Sequence, residues 1–380
     1  MHKARLAIIR KSYRPDGGAE RIIDRMLSQL QHHYQLDISL ITQEWKSDDD
    51  AAMNIIKLPK RGWTRTARFT NFIDEAQSIL QKHHFDIVQS HERIPGCQIY
   101  RAGDGVHQEW IDIRCKTSSR FKCKTLRTSP FHRAVIDAER ALFYHQNLEY
   151  VICNSLQIKD EILSHYPEIS SSSIKVIHNG IDLNYFSRST EVTRQRTRTQ
   201  LGLQDDDPVL ISVGSGFYRK GVATTLHALA ETPAWKLIIV GRDKDQKRYQ
   251  KLCDELGVSH RVFFVGMQQD VRPFYAAADL LVHPALYDPF PNVVFEAMAC
   301  GLGVITSDKC GASEVISKGE NGYVIPPAEH QQLSRILEQC NDHDLLQQLA
   351  DNAHQTALHY SIERMTDSLV SLYASILEKQ

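Results

Sequence analysis

The chain has 380 residues, of which 42% are apolar, 24% charged and 8% aromatic, enough for two ordinary domains with full hydrophobic cores. Its formal net charge is −1, with 26 basic against 22 acidic side chains in residues 1–185 and 19 against 24 beyond them. That bias is too weak for general nucleic-acid binding, and neither zinc-finger spacing nor an RNA-binding signature is present. Eight cysteines are scattered along the chain with no C-x-x-C pair, a pattern that reads as reduced, mostly buried thiols. The first ten residues hold only four consecutive apolar positions, so they read as a strand and not as a signal peptide. No apolar run approaches the roughly 18 residues of a spanning helix, and the expected location is cytoplasmic.

In chain order, 6–10 reads as the first strand and 20–33 as the first amphipathic helix, with Gly17 and Gly18 in the turn between them. A Gly-Gly turn permits a tight loop at the carboxyl edge of a parallel sheet, where open α/β folds place ligands. Strand patterns follow at 37–41, 85–89 and 150–154, with a helical pattern over 69–83. A second series places strands at 209–213, 236–240, 262–265, 280–283 and 303–306, with helices over 221–231 and 247–256. Two runs of βα units predict an α/β protein with two Rossmann-like, doubly wound parallel-sheet domains. A turn at His178-Asn179-Gly180 and a polar stretch over 187–207 divide them. The expected organisation is 1–185, then 186–360, then a C-terminal helix over 361–380.

Two places carry the chemistry. In 209–221 a strand runs into a loop bearing Gly214 and Gly216 and then into a helix start at Gly221. The spacing G-x-G-x-x-x-x-G fits neither a nicotinamide fingerprint nor a Walker loop. Arg219 and Lys220 at a helix N-terminus oppose the macrodipole by about 0.3–1 kcal/mol each. A diphosphate would answer that charge; a solvated basic pair is the other reading. Further on, Asp288 and Glu296 stand eight positions apart around a Pro291-Asn292 break, with Asn292 as N-cap, a helix over 293–300 and Gly301 as its stop. The amides at 292–294 would face an anion, while the two carboxylates suit hydroxyl-rich groups. A sugar nucleotide has both parts. The same carboxylates could instead oppose each other across a glycosidic bond, but the neighbouring cations favour a charged leaving group.

Asp243-Lys244-Asp245 has the form of a D-x-D metal motif, yet its place at a strand end ahead of a helix favours capping. No other cluster has metal-ligand spacing, so a metal-independent reaction without a cofactor is expected. Asp104 and His107 lie in a glycine-punctuated loop after a strand.

Taken together and in order, Gly17-Gly18-x-Glu20-Arg21, His178-Asn179-Gly180-Ile181-Asp182, Arg219-Lys220-Gly221, Val240-Gly241, Phe264-x-Gly266 and the 288–301 segment resemble the retaining GT-B glycosyltransferases of family 4 over nearly the whole chain. Within that family the 213–222 loop is most similar to the lipopolysaccharide core glucosyltransferase group. The resemblance implies two domains facing a cleft, with Arg219 and Lys220 neutralising a leaving diphosphate. It implies Glu296 on the ribose, Asp288 on the donor sugar and Gly266 and Met267 near the base. Gly216, Phe290, Asn292 and Val293 would line the donor site, Gly17 and Gly18 would close over the phosphates, and Asp104 or His107 would reach the donor sugar. The chain departs from the family pattern at Asp288, where Glu is usual, and at Pro291, where Gly is usual; both bear on donor choice.

The implied partners are a UDP-sugar donor and a lipid-linked oligosaccharide acceptor. Residues 111–135 hold seven cations against one acid, Asp112, with Trp110, Phe121 and Phe131 interleaved. They suit an anionic inner-membrane surface as well as a solvated helix face. A UDP-sugar 2-epimerase of the same fold and a noncatalytic membrane-associated subunit are the alternative readings.

Overall fold

The computed structural model describes residues 3–12, 26–27, 29–30, 36–45 and 54–379. The chain forms two compact units, one from 1–179 with 362–380 and one from 180–361. In the first, β1 (Ala4–Ile9), β2 (Leu36–Thr42), β3 (Asn54–Lys57), β4 (Ile87–Ser90), β5 (Ile99–Arg101), β6 (Tyr150–Cys153) and β7 (Ile174–Val176) make one parallel sheet in the order β3-β2-β1-β4-β5-β6-β7. In the second, β8 (Val209–Val213), β9 (Lys236–Val240), β10 (Val262–Gly266), β11 (Leu280–His283), β12 (Gly303–Ser307) and β13 (Gly322–Ile325) make a parallel sheet in the order β10-β9-β8-β11-β12-β13. Strands covered by helices on both faces have no polar side to show, and β8 is buried along its whole length.

The strand order reverses between β1 and β4 in one sheet and between β8 and β11 in the other. At such a reversal the connecting segments leave in opposite directions and open a crevice at the carboxyl ends of the strands. Strands β3, β5, β7 and β13, three or four residues long, were not expected. Helix Arg65–Lys82 starts four residues ahead of the expected 69, because the Thr64 hydroxyl accepts from the Ala67 amide and caps it there. The expected helix over 20–33 lies almost wholly outside the described residues.

The chain leaves the first unit after Asn179, ahead of the expected 185, and returns at Ile362. Helix Ile362–Leu377 then packs Met365, Leu369, Tyr373 and Ile376 into one core with Leu6, Ile8, Ile38 and Leu40, and the Tyr373 hydroxyl donates to Gln89 Oε1 at 2.8 Å. The expectation of reduced thiols needs one correction. Cys97, Cys153, Cys253, Cys300, Cys310 and Cys340 are free, but Cys115 and Cys123 form a disulfide with Cα atoms 4.7 Å apart. Helices His107–Lys116 and Arg120–Thr128 double back through residues 117–119, and that reversal, invisible in a scattered spacing, brings the two sulfurs together.

Leu369 is fully buried in this core, so Leu369→Ala should destabilise the first unit by about 2–5 kcal/mol. Urea unfolding followed by circular dichroism would show it as a lowered midpoint; an unchanged midpoint would mean that the last helix does not carry the first core.

Candidate active site

Two adjacent strands at the reversal of the second sheet, β8 and β11, deliver the site. After β8 the chain turns through Gly214 (φ +127°), where a Cβ would lie 3.2 Å from Lys220 Cε, and Gly221 (φ +73°), where it would lie 2.0 Å from the Pro284 carbonyl oxygen. Neither place admits a side chain, so the lysine stem lies along bare backbone and the loop abuts the segment after β11. Asp243, at the end of β9, holds this loop: its Oδ2 accepts from the Phe217 amide at 2.8 Å and its Oδ1 from the Asp245 amide at 2.8 Å. The expectation that this motif caps helix Gln246–Glu255 is corrected here, since no side chain caps that helix. The carboxylate braces the glycine loop instead.

Lys220 Nζ lies 2.6 Å from Asp288 Oδ2, and the Arg219 guanidinium 3.1 Å from the same oxygen. His283 Nε2 is 3.1 Å from it. Arg219 also donates to the Tyr287 carbonyl at 3.1 Å. The backbone of Asp288 is pinned on both sides, its amide on the Lys309 carbonyl at 2.9 Å and its carbonyl receiving the Gly311 amide at 2.8 Å. Two hydrogen bonds and one ion pair therefore converge on Oδ2, while Oδ1 accepts from none of the described residues. Burial pushes the Asp288 carboxyl up, but Lys220, the His283 hydrogen bond and Arg219 outweigh it and hold the group well below the usual carboxylate range. Burial and the Lys220 charge push His283 down to about 4. The ring is therefore neutral near pH 7 with its hydrogen on Nε2, and buried Nδ1 is left without a partner.

Helix Asn292–Ala299 follows with Pro291 as N-cap and no capping side chain. Asn292 is thus the first helical residue and not the cap as expected, because Pro291, lacking an amide hydrogen, takes the place outside the ladder. Gly301 closes the helix at φ +82°. Glu296, nearly buried, accepts from the Tyr275 hydroxyl at 2.9 Å. Phe290 is buried with its ring stacked on Phe295 at 4.7 Å. Val293 lies on the first turn, Gly216 in the glycine loop, and Gly266 with exposed Met267 at the end of β10.

Asp104 and His107 lie in the other unit. Asp104 is exposed on the turn after β5. His107 opens helix His107–Lys116, its amide donating to Glu139 Oε2 at 3.1 Å and its Nε2 lying 3.0 Å from His132 Nδ1. Fully buried Glu139 also receives Arg93 at 2.8 Å and the Tyr166 hydroxyl at 3.1 Å. Burial, then Arg93 and His132, lower His107 to about 3. Gly17 and Gly18 lie outside the described residues. Sequence reasoning missed His283, Glu139 and His132; the one signal for His283 was a histidine ending the strand just before the 288–301 segment. Among the described residues no group of three His, Cys, Asp or Glu side chains is placed to hold a metal ion.

A glycine loop and a basic pair at the reversal of a 3-2-1-4-5-6 sheet, paired with a second parallel-sheet unit, define a GT-B glycosyltransferase. Comparison with known proteins agrees. Residues 16–185 match the model described as Glycosyltransferase Family 4 and residues 193–356 that described as Glycosyl transferases group 1. The chain is 30% identical over 378 residues to lipopolysaccharide glucosyltransferase WaaG of Escherichia coli, covering 96% of each chain. It is 31% identical over 370 residues to the lipopolysaccharide core biosynthesis glycosyltransferase LpsE of Rhizobium meliloti, covering 95% of this chain and 96% of the relative. The crystal structure of WaaG superposes with a TM-score of 0.82 at 27% identity, covering 97% of this chain and 99% of that one. The chain belongs to the GT-B glycosyltransferases of group 1/family 4, and it is a hexosyltransferase.

A histidine held near 4 in the fold and ordinary at 6.5 when unfolded takes up a proton on unfolding between those values. Stability in the second unit should therefore fall as pH drops from 6.5 toward 4. His283→Gln keeps an amide donor for Asp288 and removes this titration, so its melting temperature should fall less steeply across that window in scanning calorimetry. An unchanged slope would reject the neutral assignment.

Proposed function

We propose that this hexosyltransferase is a retaining, metal-independent enzyme. It takes its sugar from a UDP-hexose and delivers it to a lipopolysaccharide or lipooligosaccharide core sugar. The convergence of Lys220, Arg219 and His283 on one buried oxygen of Asp288 carries this reading. One carboxylate answers only one of the two cations, and a diphosphate would supply the charge to answer both. As the bond from sugar C1 to the phosphate oxygen breaks, Lys220 and Arg219 hold the charge that develops on the leaving diphosphate. The acceptor oxygen bonds C1 on the same face, and its proton passes to the departing phosphate oxygen. Asp288 Oδ1 receives a hydroxyl of the donor sugar, Glu296 the ribose hydroxyls, and the first turn at Asn292 and Val293 supports the phosphates. The names of WaaG and LpsE support the acceptor class, and the motif resemblance supports the UDP donor.

Mass spectrometry of donor turnover across a panel of nucleotide sugars, with core oligosaccharide as acceptor, tests this. UDP-hexoses should be consumed with formation of an α-linked product, and Lys220→Ala should reduce transfer at least a hundredfold. Free epimer released without acceptor, or transfer unaffected by Lys220→Ala, would overturn it.

We further propose that the enzyme works as a cytoplasmic protein bound peripherally to the inner face of the cell membrane. No described helix is long and apolar enough to cross a membrane. Lys116, Arg120, Lys122, Lys124, Arg127 and Arg133 are exposed on three consecutive helices, with Phe121 81% exposed among them. Each such cation contributes about 1 kcal/mol near an anionic surface. In flotation assays the protein should rise with phosphatidylglycerol vesicles at low salt and not at 0.5 M salt, roughly, where charges are screened within a few ångströms. Absence of salt-sensitive binding would remove the membrane from the function.

A further inference from the structure

The first unit holds a second concentration of positive charge that the proposed chemistry does not use. Residues 57–68 contain Lys57, Lys60, Arg61, Arg65 and Arg68 and no acid. Lys60 and Arg61 are answered by Glu44 and Glu75. Arg65 and Arg68 make no ion pair with any described acid. They stand at i and i+3 on helix Arg65–Lys82, with Phe72 at i+7 on the same face. Lys11, just past the end of β1, sets its ammonium 5.6 Å from the centre of the Phe72 ring. Three cations from two elements thus share one stripe at the carboxyl edge of the sheet.

Charge within this group is compensated only in part, by Glu92 acting on Lys11. Lys11 is lowered first by burial and also by Arg68 and Arg65, against the pull of Glu92. Glu92 is shared with Arg10 at 3.8 Å and receives the Lys11 amide at 3.0 Å. Glu139 is engaged by Arg93, Tyr166 and the His107 amide, Asp112 by Arg127, and Asp104, exposed after β5, acts on Glu92 and Arg93. The Arg65 guanidinium lies over the Phe131 ring at 3.7 Å, so it is held in place and not waving in solvent. Helix Arg65–Lys82 has no acid in its first turn, where an anion is favoured. Two residues before Arg65, Trp63 is 99% exposed, an aromatic face of the kind that stacks on a sugar ring.

We infer that Lys11, Arg65 and Arg68 form an anion-binding subsite of the first unit that takes an acidic group, phosphate or carboxylate, of the saccharide acceptor. The inference rests on the reading above that this enzyme glycosylates a saccharide. A lipid surface fits the cluster less well. Its cations sit at the sheet edge where α/β folds bind small ligands, and one of them is fixed by stacking, whereas Arg120, Lys122 and Lys124 are exposed on helix Arg120–Thr128.

Isothermal titration of the full chain with mannose 6-phosphate and with mannose tests the subsite. The phosphorylated sugar should bind at least tenfold more tightly. That preference should survive in Arg219→Ala, which weakens the other anion site, and shrink to less than twofold in Arg65→Gln/Arg68→Gln, which keeps polar side chains at these exposed positions. An equal preference in the double variant, or its loss in Arg219→Ala alone, would overturn the inference. So would a double variant that loses phosphatidylglycerol-vesicle binding while keeping the sugar phosphate, because the cations would then belong to the lipid face. Absence of transfer to any saccharide in the donor panel would instead remove the function on which the subsite depends.

Discussion

A single buried carboxylate organises the second unit. Asp288 takes Lys220, Arg219 and His283 on one oxygen, and removing one partner of such a buried pair costs about 3–5 kcal/mol because the other charge is left unanswered. The glycine loop after β8, the turn after β11 and the start of helix Asn292–Ala299 are therefore held by one electrostatic knot. Its geometry has a functional side. Lys220, Arg219 and His283 all gather on Oδ2, so Oδ1 accepts from none of the described residues, and the two cations outnumber the one carboxylate that faces them.

Backbone constraints make that knot possible. Lys220 reaches Asp288 because Gly214 leaves room along its stem, and the loop meets Pro284 because Gly221 has no Cβ. Asp243 ties the same loop to the end of β9. Each of these contacts joins segments that leave neighbouring parallel strands, so the reversal of strand order supplies the crevice and the side chains line it. The first unit has different chemistry: buried Glu139 pairs with Arg93 and holds the backbone amide of His107, whose ring lies against His132. Its surface is basic at the sheet edge and on the helical hairpin closed by Cys115 and Cys123.

Much of this was legible in the chain. The strands over 209–213, 236–240 and 280–283 were read at the bounds they take, because short, largely apolar runs buried on both faces carry a strong signal. Arg219, Lys220 and Asp288 were singled out, and the structure brings them together. Short strands such as β5 were not legible, since three residues show no period. The cap of helix Arg65–Lys82 was missed because a threonine ahead of a basic first turn lacks the usual acidic signature.

Local pattern, then, determined the fold class, the two-unit plan and the motif family, because hydrophobic period, glycine placement and residue order are properties of the chain itself. Tertiary structure alone decided what each charged group faces. Asp288 became the counter-ion of a basic pair 68 residues away, Asp243 a brace and not a cap, and His283 a neutral donor. Partners so distant in sequence are set by which strands lie side by side, and the value of a charge is set by burial; neither is written in local spacing.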